Sequence, residues 1–474
     1  MLFNSFGFLV FFPIVVCVYF LIPQKVRYLW LLGASYYFYM CWNAGYALLL
    51  LFVTAVTYLG ALAIERFPKR KLFLVLTVCM NLSVLFAFKY FDFALSNLNG
   101  ILTKLSVSPI EPEFSILLPV GISFYTFQAL GYTMDVYRKE IPAEKNFLKY
   151  ALFVSFFPQL VAGPIERSKN LLFQLNKEQH FDHMRMRKGL LIMLWGYFLK
   201  LVVADRAAIF VNAVYGDTVS YGGVYLIAAT LLFAVQIYCD FAGYSTIARG
   251  AALIMGFLLT ENFEAPYFAK SVTEFWRRWH ISLSGWFRDY LYIPLGGNRK
   301  GTFVKYRNLL LVFLASGLWH GAAWNYVIWG GLNGIYQVAE GCMRDRKAKK
   351  KDNDVGAESS GLEGRYIKRM ISVFITFVLI DFSWLFFRSD GISGAVENIK
   401  SILSVRNFSI LTNGEIFTLG LNVYHFLFLL AAILLLWMAD FFRYRNVDIF
   451  TWIEGKGVVV RYGIYLCLFC LVVL

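Results

Sequence analysis

Residues 47–64 read ALLLLFVTAVTYLGALAI, a run without a charged side chain. Its length is close to the about 20 helical residues that cross the hydrocarbon core of a bilayer. Comparable apolar runs recur on both sides of it, at 8–21, 28–42, 72–91, 151–160, 190–203, 224–236, 309–318, 370–387, 423–438 and 458–474. Several of these are shorter than a full span and need flanking residues to complete it. The sequence therefore predicts an all-α polytopic membrane protein with roughly ten to twelve transmembrane helices.

The composition is that of a protein whose main solvent is lipid. Of the 474 residues, 59% are hydrophobic and 19% are aromatic, and the mean hydropathy is +0.59. The formal net charge is +15, but the basic residues lie in loops between apolar runs, as at 23–27 and 66–71. Because cytoplasmic loops of membrane proteins are enriched in Lys and Arg, topology explains this charge better than nucleic-acid binding does. We predict a single membrane-embedded domain over residues 1–474.

Two polar segments interrupt the apolar pattern. Residues 344–369 contain the run RDRKAKKKDNDVGAESSGLEGR, whose polarity predicts a flexible cytoplasmic linker. Residues 264–307 are too polar for a span and too aromatic for a solvated loop. Within them, large apolar side chains recur every three or four residues: Trp276, Trp279, Leu283 and Trp286. This spacing predicts an amphipathic helix that lies at the cytoplasmic interface or re-enters the protein.

His320 is the strongest candidate for a chemical role. It lies in the tract SGLWHGAAW between two apolar runs, directly after Trp319. Ionisable side chains inside or beside membrane spans are costly, so they are functional candidates by default. A neutral imidazole at this depth can take a proton from an incoming hydroxyl as a general base. The alternative is a structural histidine satisfied by a backbone carbonyl in a helix break.

His280 and Asp240 are the next ionisable residues that need an explanation. His280 follows two arginines in FWRRWHISLS, where the alternative to a functional role is an interfacial histidine on a membrane-surface helix. Asp240, in QIYCDFAGYS, can orient a histidine or pair with Arg249 or a distant arginine. A structural buried ion pair is the other interpretation of Asp240, and we favour it.

A group of basic side chains near His280 suits an anionic ligand such as a phosphate-bearing thioester or an acidic carrier protein. Its members are Arg277, Arg278, Arg288, Arg299 and Lys300. Positive-inside topology is the competing explanation for each of them. The other candidate supporting residues are Trp276, Asp289, Asn298, Trp319 and Asn325. Cys467 and Cys470 form a CxxC pair inside an apolar run, where thiols behave as small hydrophobes, so we predict no metal site.

Four tracts together resemble the membrane-bound O-acyltransferase superfamily. The longest are TEFWRRWHISLSGWFRDYLYIPLGGNRKG (273–301) and SGLWHGAAWNYVIWGGLNG (316–334), and the supporting ones are FFPQLVAGPIER (156–167) and YCDFAGYS (238–245). The resemblance covers nearly the whole chain. It is strongest to the bacterial branch of alginate and peptidoglycan O-acetyltransferase membrane subunits, and weaker to the teichoic-acid D-alanylation membrane protein. One departure is Thr246, where many members of the branch carry an Asp.

The resemblance implies a ring of tilted helices around a central tunnel through the membrane, with His320 at the family histidine and His280 at the second histidine of the branch. It also implies a location in the bacterial cytoplasmic (inner) membrane and a separate extracytoplasmic partner, an SGNH hydrolase-like acetyltransferase that completes transfer to a polysaccharide. The expected donor is acetyl-CoA, and no tightly bound cofactor is expected.

The sequence thus predicts an enzyme that passes an acetyl group from a cytosolic thioester across the membrane. His320 would act as general base or acyl-transfer catalyst, and His280 would position or polarise the thioester. One alternative keeps the family and changes the donor to D-alanine on a carrier protein. Another is a transporter or flippase that uses Asp240 and His320 along a proton or substrate path, against which the absence of a clear internal repeat argues.

Overall fold

The computed structural model describes residues 1–111, 117–353, 362–404, 408 and 413–473. Helices form most of these ranges, and no strand occurs within them, which confirms the all-α prediction. In chain order the helices are α1 Phe6–Leu21, α2 Arg27–Met40, α3 Tyr46–Arg66, α4 Arg70–Leu85, α5 Phe91–Lys104, α6 Ile122–Tyr137, α7 Phe147–Ser155, α8 Phe157–Leu160, α9 Ser168–Leu175, α10 His183–Tyr197, α11 Asp205–Gly216, α12 Val224–Met255, α13 Val272–Arg278, α14 Ile281–Phe287, α15 Thr302–His320, α16 Trp324–Asn353, α17 Leu362–Arg388, α18 Gly391–Leu403, α19 Val423–Tyr444, α20 Ile449–Glu454 and α21 Val458–Val473.

Five helical stretches in the described part of the chain are long and apolar enough to cross a membrane: Tyr46–Arg66, Arg70–Lys104, Val224–Met255, Tyr366–Arg388 and Val423–Tyr444. The second of these joins α4 to α5 through the π-helical stretch Phe86–Tyr90. Two further apolar helices, α1 and α21, have 16 residues each, which at about 1.5 Å per residue is somewhat short of the hydrocarbon thickness. The polytopic membrane fold is confirmed, and the count of ten to twelve spans stays a prediction.

Within the single domain that the sequence predicts, the residues pack into two compact units. The first consists of Met1–Gly196 and Tyr244–Glu261, and the second of Tyr197–Gly243 and Asn262–Leu474. The long helix α12 therefore contributes residues to both. His280 and His320 belong to the second unit.

The first unit is organised around α6, most of whose residues are buried. The chain enters α6 through Gly121, whose φ of +77° lies in the left-handed region. A β-carbon at Gly121 would lie 2.6 Å from the carbonyl oxygen of Leu160, so this close approach of α6 to the end of α8 requires glycine. Tyr150 of α7 donates a buried hydrogen bond of 2.7 Å to the hydroxyl of Thr57 on α3.

The second unit contains a helical hairpin, α15 and α16, whose two backbones touch. A β-carbon at Gly317 would lie 2.3 Å from the carbonyl oxygen of Tyr326, and one at Gly330 would lie 2.3 Å from that of Phe313. Only glycine permits such an approach, and the close spacing brings the side chains on either side of it into contact. His320 is the last residue of α15, so the hairpin presents this histidine at its turn.

The predicted linker 344–369 is helical at both ends. Helix α16 continues to Asn353 and α17 begins at Leu362, whereas residues 354–361 lie outside the described residues. The run RDRKAKKKDNDVGAESSGLEGR contains four Lys and three Arg, and these residues have high helix propensity although they cannot form a core. Because polarity does not distinguish a helix from a loop, the bounds of the flexible segment stay a prediction.

The glycine contact between α15 and α16 predicts a position-specific effect on stability. Gly330→Ala should reduce the free energy of unfolding by about 1–3 kcal/mol, the usual cost of overpacking, because its β-carbon would overlap backbone atoms. Gly331→Ala is the matched control, since its β-carbon would meet only Leu314 Cδ2, at 3.5 Å. Thermal unfolding of the two purified variants in detergent measures the difference. Equal thermal midpoints for the two variants would show that α15 and α16 can move apart to admit the β-carbon without loss of stability.

Candidate active site

His280 lies where the chain breaks between two short helices, not along one amphipathic helix as predicted. Helix α13 ends at Arg278 and α14 begins at Ile281, and His280 between them has a φ of +45°. The backbone oxygen of Asn262 accepts the N–H of Ile281 at 3.0 Å, and its side-chain oxygen accepts the N–H of Ser282 at 3.2 Å. These two bonds satisfy backbone groups that the break frees, which allows the helix to stop inside the protein.

The tryptophans of this segment face the interior of the protein, whereas its re-entry into the membrane stays a prediction. Trp276, Trp279 and Trp286 are all buried, as is Leu283. Periodicity therefore identified the inward face of the segment correctly and failed only on its continuity. A single residue in the left-handed conformation does not alter the spacing of the apolar residues around it, so the pattern does not reveal the break. Histidine is among the residues that tolerate this conformation.

The two candidate histidines are neighbours in the second unit. The centroids of the His280 and His320 rings lie 6.3 Å apart, although the residues are separated by 40 positions in the chain (320 − 280). His280 is 2% exposed, whereas His320 is only partly buried. The pair is thus open on the side of His320.

Aromatic rings surround the pair. Ring centroids of Trp319, Trp329 and Phe387 lie 4.9, 5.1 and 5.6 Å from that of His320, and the ring of Phe241 lies 4.6 Å from that of His280. An apolar surround of this kind lowers the local dielectric and strengthens any interaction between the imidazoles and a bound dipole.

Burial has a definite electrostatic effect on His280. Loss of solvation, together with the nearby His320, holds the pKa of His280 well below its ordinary value. Burial disfavours the charged form of an imidazole, so His280 is neutral at physiological pH. A neutral imidazole carries one N–H donor and one acceptor nitrogen.

A cavity of about 290 Å³ lies beside His280, and all of its lining residues belong to the second unit. Its apolar wall is formed by α14 and α15, and Gln337 and Gly341 of α16 contribute to the opposite wall. Four of its lining side chains are cationic: Arg277, Arg288, Lys305 and Arg344. No acidic residue is among the described residues that line it. Two of these cations are paired with carboxylates, Arg288 with Asp289 at 2.8 Å and Lys305 with Asp345 at 2.9 Å. The cavity therefore combines a basic lining, called here the rim, with a buried histidine.

Three of the supporting residues predicted from the sequence line this cavity. Trp276 lines it and donates a hydrogen bond of 3.2 Å to Asn333. Arg277 and Arg288 also line it, and Arg288 forms an ion pair of 2.8 Å with the adjacent Asp289. Arg288 and Asp289 thus partly neutralise each other at the rim.

The other predicted supporting residues in this region do not line the cavity. Arg278 is held by Glu274 at 3.0 Å and by the backbone oxygen of Glu264 at 3.1 Å. Asn325 donates to the backbone oxygens of Phe386 and Ser389 at 3.3 and 3.1 Å. Asn298 is exposed in the turn before α15 and does not line the cavity. Arg299 and Lys300 are likewise exposed and do not line it.

Asp240 forms an ion pair, but with a partner that the sequence did not indicate. Its carboxylate pairs with Lys200, which also pairs with Asp205 at 2.8 Å. Arg249 instead pairs with Glu261 at 2.9 Å, within the first unit. Asp240 thus forms an ion pair, but its side chain is 48% exposed and the pair is not buried as expected. The pairing with Arg249 was wrong, because Lys200 lies in an apolar run that hid it.

Several residues of the cavity region escaped sequence reasoning: Asn308, Trp329, Asn333, Gln337, Lys305 and Arg344. Of these, Arg344 was assigned to the linker. A usable signal was present, because Gln337, Gly341 and Arg344 are spaced at four and three residues and share one face of α16. Asn308 is fully buried and donates to the backbone oxygens of Leu295 and Gly297 at 3.1 and 3.2 Å, which fixes the turn before α15.

Comparison with known proteins identifies the family of this chain. The model of the MBOAT, or membrane-bound O-acyltransferase, family matches residues 138–354. These residues include both histidines, the cavity-lining part of α16 and the tract at 156–167.

Individual proteins resemble the chain over most of its length. A probable alginate O-acetylase of Pseudomonas putida is 37% identical over 94% of this chain and 88% of its own length. A peptidoglycan O-acetyltransferase of Helicobacter pylori is 34% identical over 81% of the chain and 75% of its own length. A teichoic acid D-alanyltransferase of Streptococcus thermophilus is 27% identical over 60% of the chain and 73% of its own length.

The lowered pKa of His280 predicts how stability depends on pH. The unfolded chain binds a proton near the ordinary histidine pKa of about 6.5, whereas the folded chain binds it only at lower pH, so stability is fully present above about pH 6.5 and is lost as the pH falls below it. The thermal midpoint in detergent should therefore drop between about pH 7.5 and about pH 5.5, and less so in His280→Asn. Asparagine is chosen because it also tolerates a positive φ.

His425→Asn is the control for that measurement, because His425 is exposed at the start of α19. Its acid dependence should match that of the unmodified chain. An unchanged slope in His280→Asn would contradict the assignment of the acid sensitivity to His280.

Proposed function

Because this chain belongs to the membrane-bound O-acyltransferase family and is a membrane O-acetyltransferase, we propose that it passes an acetyl group from cytosolic acetyl-CoA across the membrane for O-acetylation of an exported or cell-wall polysaccharide. The observation that carries this proposal is the His280–His320 pair, of which His280 lines a basic cavity. Acetyl transfer is favoured over D-alanyl transfer because the acetylases are more similar over more of the chain.

The cationic rim suits the donor. Coenzyme A carries phosphate groups, and guanidinium groups such as those of Arg277 and Arg344 bind phosphate through charge-assisted hydrogen bonds. A cavity of about 290 Å³ is smaller than a complete cofactor-sized ligand, so the thioester end would enter while the nucleotide stays at the rim. Positive-inside topology accounts for basic residues on this side, but not for four of them around one cavity.

The chemistry needs one proton acceptor and one donor. The hydroxyl oxygen of the acceptor attacks the thioester carbonyl carbon, and its proton passes to the imidazole of His320. The carbon–sulfur bond then breaks, the ester forms, and the leaving sulfur takes the proton from the His320 imidazolium to become the free thiol. His280, kept neutral, donates its N–H to the carbonyl oxygen as negative charge develops there. With a ring separation of 6.3 Å, both imidazoles can reach one bound thioester from the same side.

The proposal also includes the membrane in which the chain resides and a partner protein. The chain would reside in the bacterial cytoplasmic membrane, with the cavity facing the cytosol. An extracytoplasmic partner of the SGNH hydrolase-like class would receive the acetyl group, or the acetylated acceptor, and complete transfer to the polysaccharide. The family resemblance supports both parts, and the apolar character of the five long helices supports residence in a membrane.

Removing the proposed base should abolish transfer without preventing insertion. We expect His320→Ala to reduce acetyl-CoA-dependent release of free thiol in membrane vesicles by about 10²- to 10⁴-fold, the usual contribution of general acid–base catalysis. His425→Ala is the matched control and should behave as the unmodified chain. Wild-type thiol release in His320→Ala would refute the role of His320.

The same vesicles separate transfer from transport and reveal the partner. Labelled acetyl groups that cross the membrane without release of thiol would support a transporter instead.

The same vesicles test for the partner. If washing away extracytoplasmic protein stops glycan acetylation and adding the protein back restores it, a partner is required. Acetylation that survives washing would contradict the need for a partner.

The basic rim predicts a specific kinetic effect. Arg344→Gln should raise KM for acetyl-CoA by about three- to tenfold with little change in kcat, since a partly exposed charge-assisted hydrogen bond is lost from binding only. Arg346→Gln is the matched control, because Arg346 lies two residues further along α16 and does not line the cavity. Equal KM values for the two variants would show that the rim acts through general charge alone.

A further inference from the structure

A second basic cavity lies in the first unit, where nothing in the acetyl-transfer proposal uses it. It has a volume of about 710 Å³ and is lined by Pro68, Lys69, Arg70, Lys71, Leu72, Tyr137, Arg138 and Lys139. Five of these residues are cationic, and no acidic residue is among the described residues that line it. The cations come from two chain segments, 69–71 and 138–139, which are distant in sequence.

Arg70 builds the floor of this cavity. Its guanidinium donates to the backbone oxygen of Ile64 at the end of α3, and to those of Val136 and Tyr137 at the end of α6. One side chain thereby ties α3, α4 and α6 together. Because these bonds occupy Arg70, the cations left to face a ligand are Lys69, Lys71, Arg138 and Lys139.

One acidic residue lies close by. Glu140 forms ion pairs with Arg138, at 3.9 Å, and with Lys169. It offsets Arg138 and leaves the three exposed lysines, Lys69, Lys71 and Lys139, as the principal charges of the cavity. Positive-inside topology explains why such residues lie on one side of a membrane, but it does not require two segments to converge on one concave surface.

The apolar surroundings indicate which anion fits. The cavity lies at the junction of two helices that can cross the membrane, Tyr46–Arg66 and Arg70–Lys104. Directly along the second helix, Leu72, Val75 and Leu76 are 49, 47 and 48% exposed. A ligand with an anionic head and apolar tails would place its phosphate among the lysines and its tails along this exposed face.

We propose that this cavity binds the headgroup of an anionic phospholipid from the surrounding bilayer. The phosphate is held by Lys69, Lys71 and Lys139, and the acyl chains lie against the apolar face that begins at Leu72. The bound lipid braces the ends of α3, α4 and α6 in the first unit, and it is independent of the donor cavity in the second.

Lys139 allows a particularly clean variant. It follows the end of α6 with a φ of +61°, a position where glycine is the preferred residue. Lys139→Gly therefore removes a proposed ligand while relieving backbone strain. It should fold at least as well as the unmodified chain and bind anionic lipid less tightly, a combination that a purely structural lysine would not produce.

The test is native mass spectrometry of the full chain in detergent with phosphatidylglycerol, phosphatidylcholine or inorganic phosphate as probes. We expect retention of phosphatidylglycerol over phosphatidylcholine. The triple variant Lys69→Gln/Lys71→Gln/Lys139→Gln should weaken it at least about tenfold, because each lysine near an anionic lipid contributes appreciably to binding. The control Lys25→Gln/Lys177→Gln/Lys347→Gln removes the same charge at exposed lysines outside the cavity and should bind as the unmodified chain does.

Three outcomes would overturn the proposal. The triple and Lys139→Gly variants could bind phosphatidylglycerol as tightly as the unmodified chain, or the control could lose binding equally, which would indicate non-specific charge. Displacement of the lipid by millimolar phosphate would indicate a soluble phosphate ligand instead. Donor turnover in vesicles is measured in parallel, and its loss or survival leaves the lipid result unaffected.

Discussion

The contact between the backbones of α15 and α16 at Gly317 and Gly330 is the constraint on which the site depends. It places His320 at the turn of the hairpin and brings the face of α16 that carries Gln337, Gly341 and Arg344 alongside α15. In a bilayer there is little hydrophobic gain from bringing helices together, so small residues that allow backbone contact supply much of the packing energy. The two glycines thus set the position of His320, the proposed base.

What the sequence revealed and what it concealed have distinct physical origins. Membrane residence followed from the apolar runs, because lipid imposes one requirement on every span. His280 and His320 stood out because an ionisable group among apolar residues is costly wherever the chain folds. Their proximity across 40 positions was implied only through the family resemblance, since no local pattern encodes a tertiary contact.

The predictions that failed did so for a different reason. The break at His280 depends on Asn262, which satisfies the backbone from a distant part of the chain, and periodicity is blind to such help. The partner of Asp240 was missed because Lys200 sits in an apolar run, and Arg344 because a charged helix and a charged loop have the same composition. In each case the deciding interaction is long-range and its local signal is ambiguous.

The interruption of the chain at His280 also bears on how the enzyme loses activity. Helices α13 and α14 have seven residues each, and isolated helices shorter than about 12–15 residues are marginal in water. Their persistence therefore relies on the tryptophans they bury and on the bonds from Asn262, so this segment has little stability of its own. It follows that inactivation by heat or detergent can begin as a local opening around His280 while the long apolar helices remain intact. A preparation that retains almost all of its helical content can thus already have lost the geometry around His280.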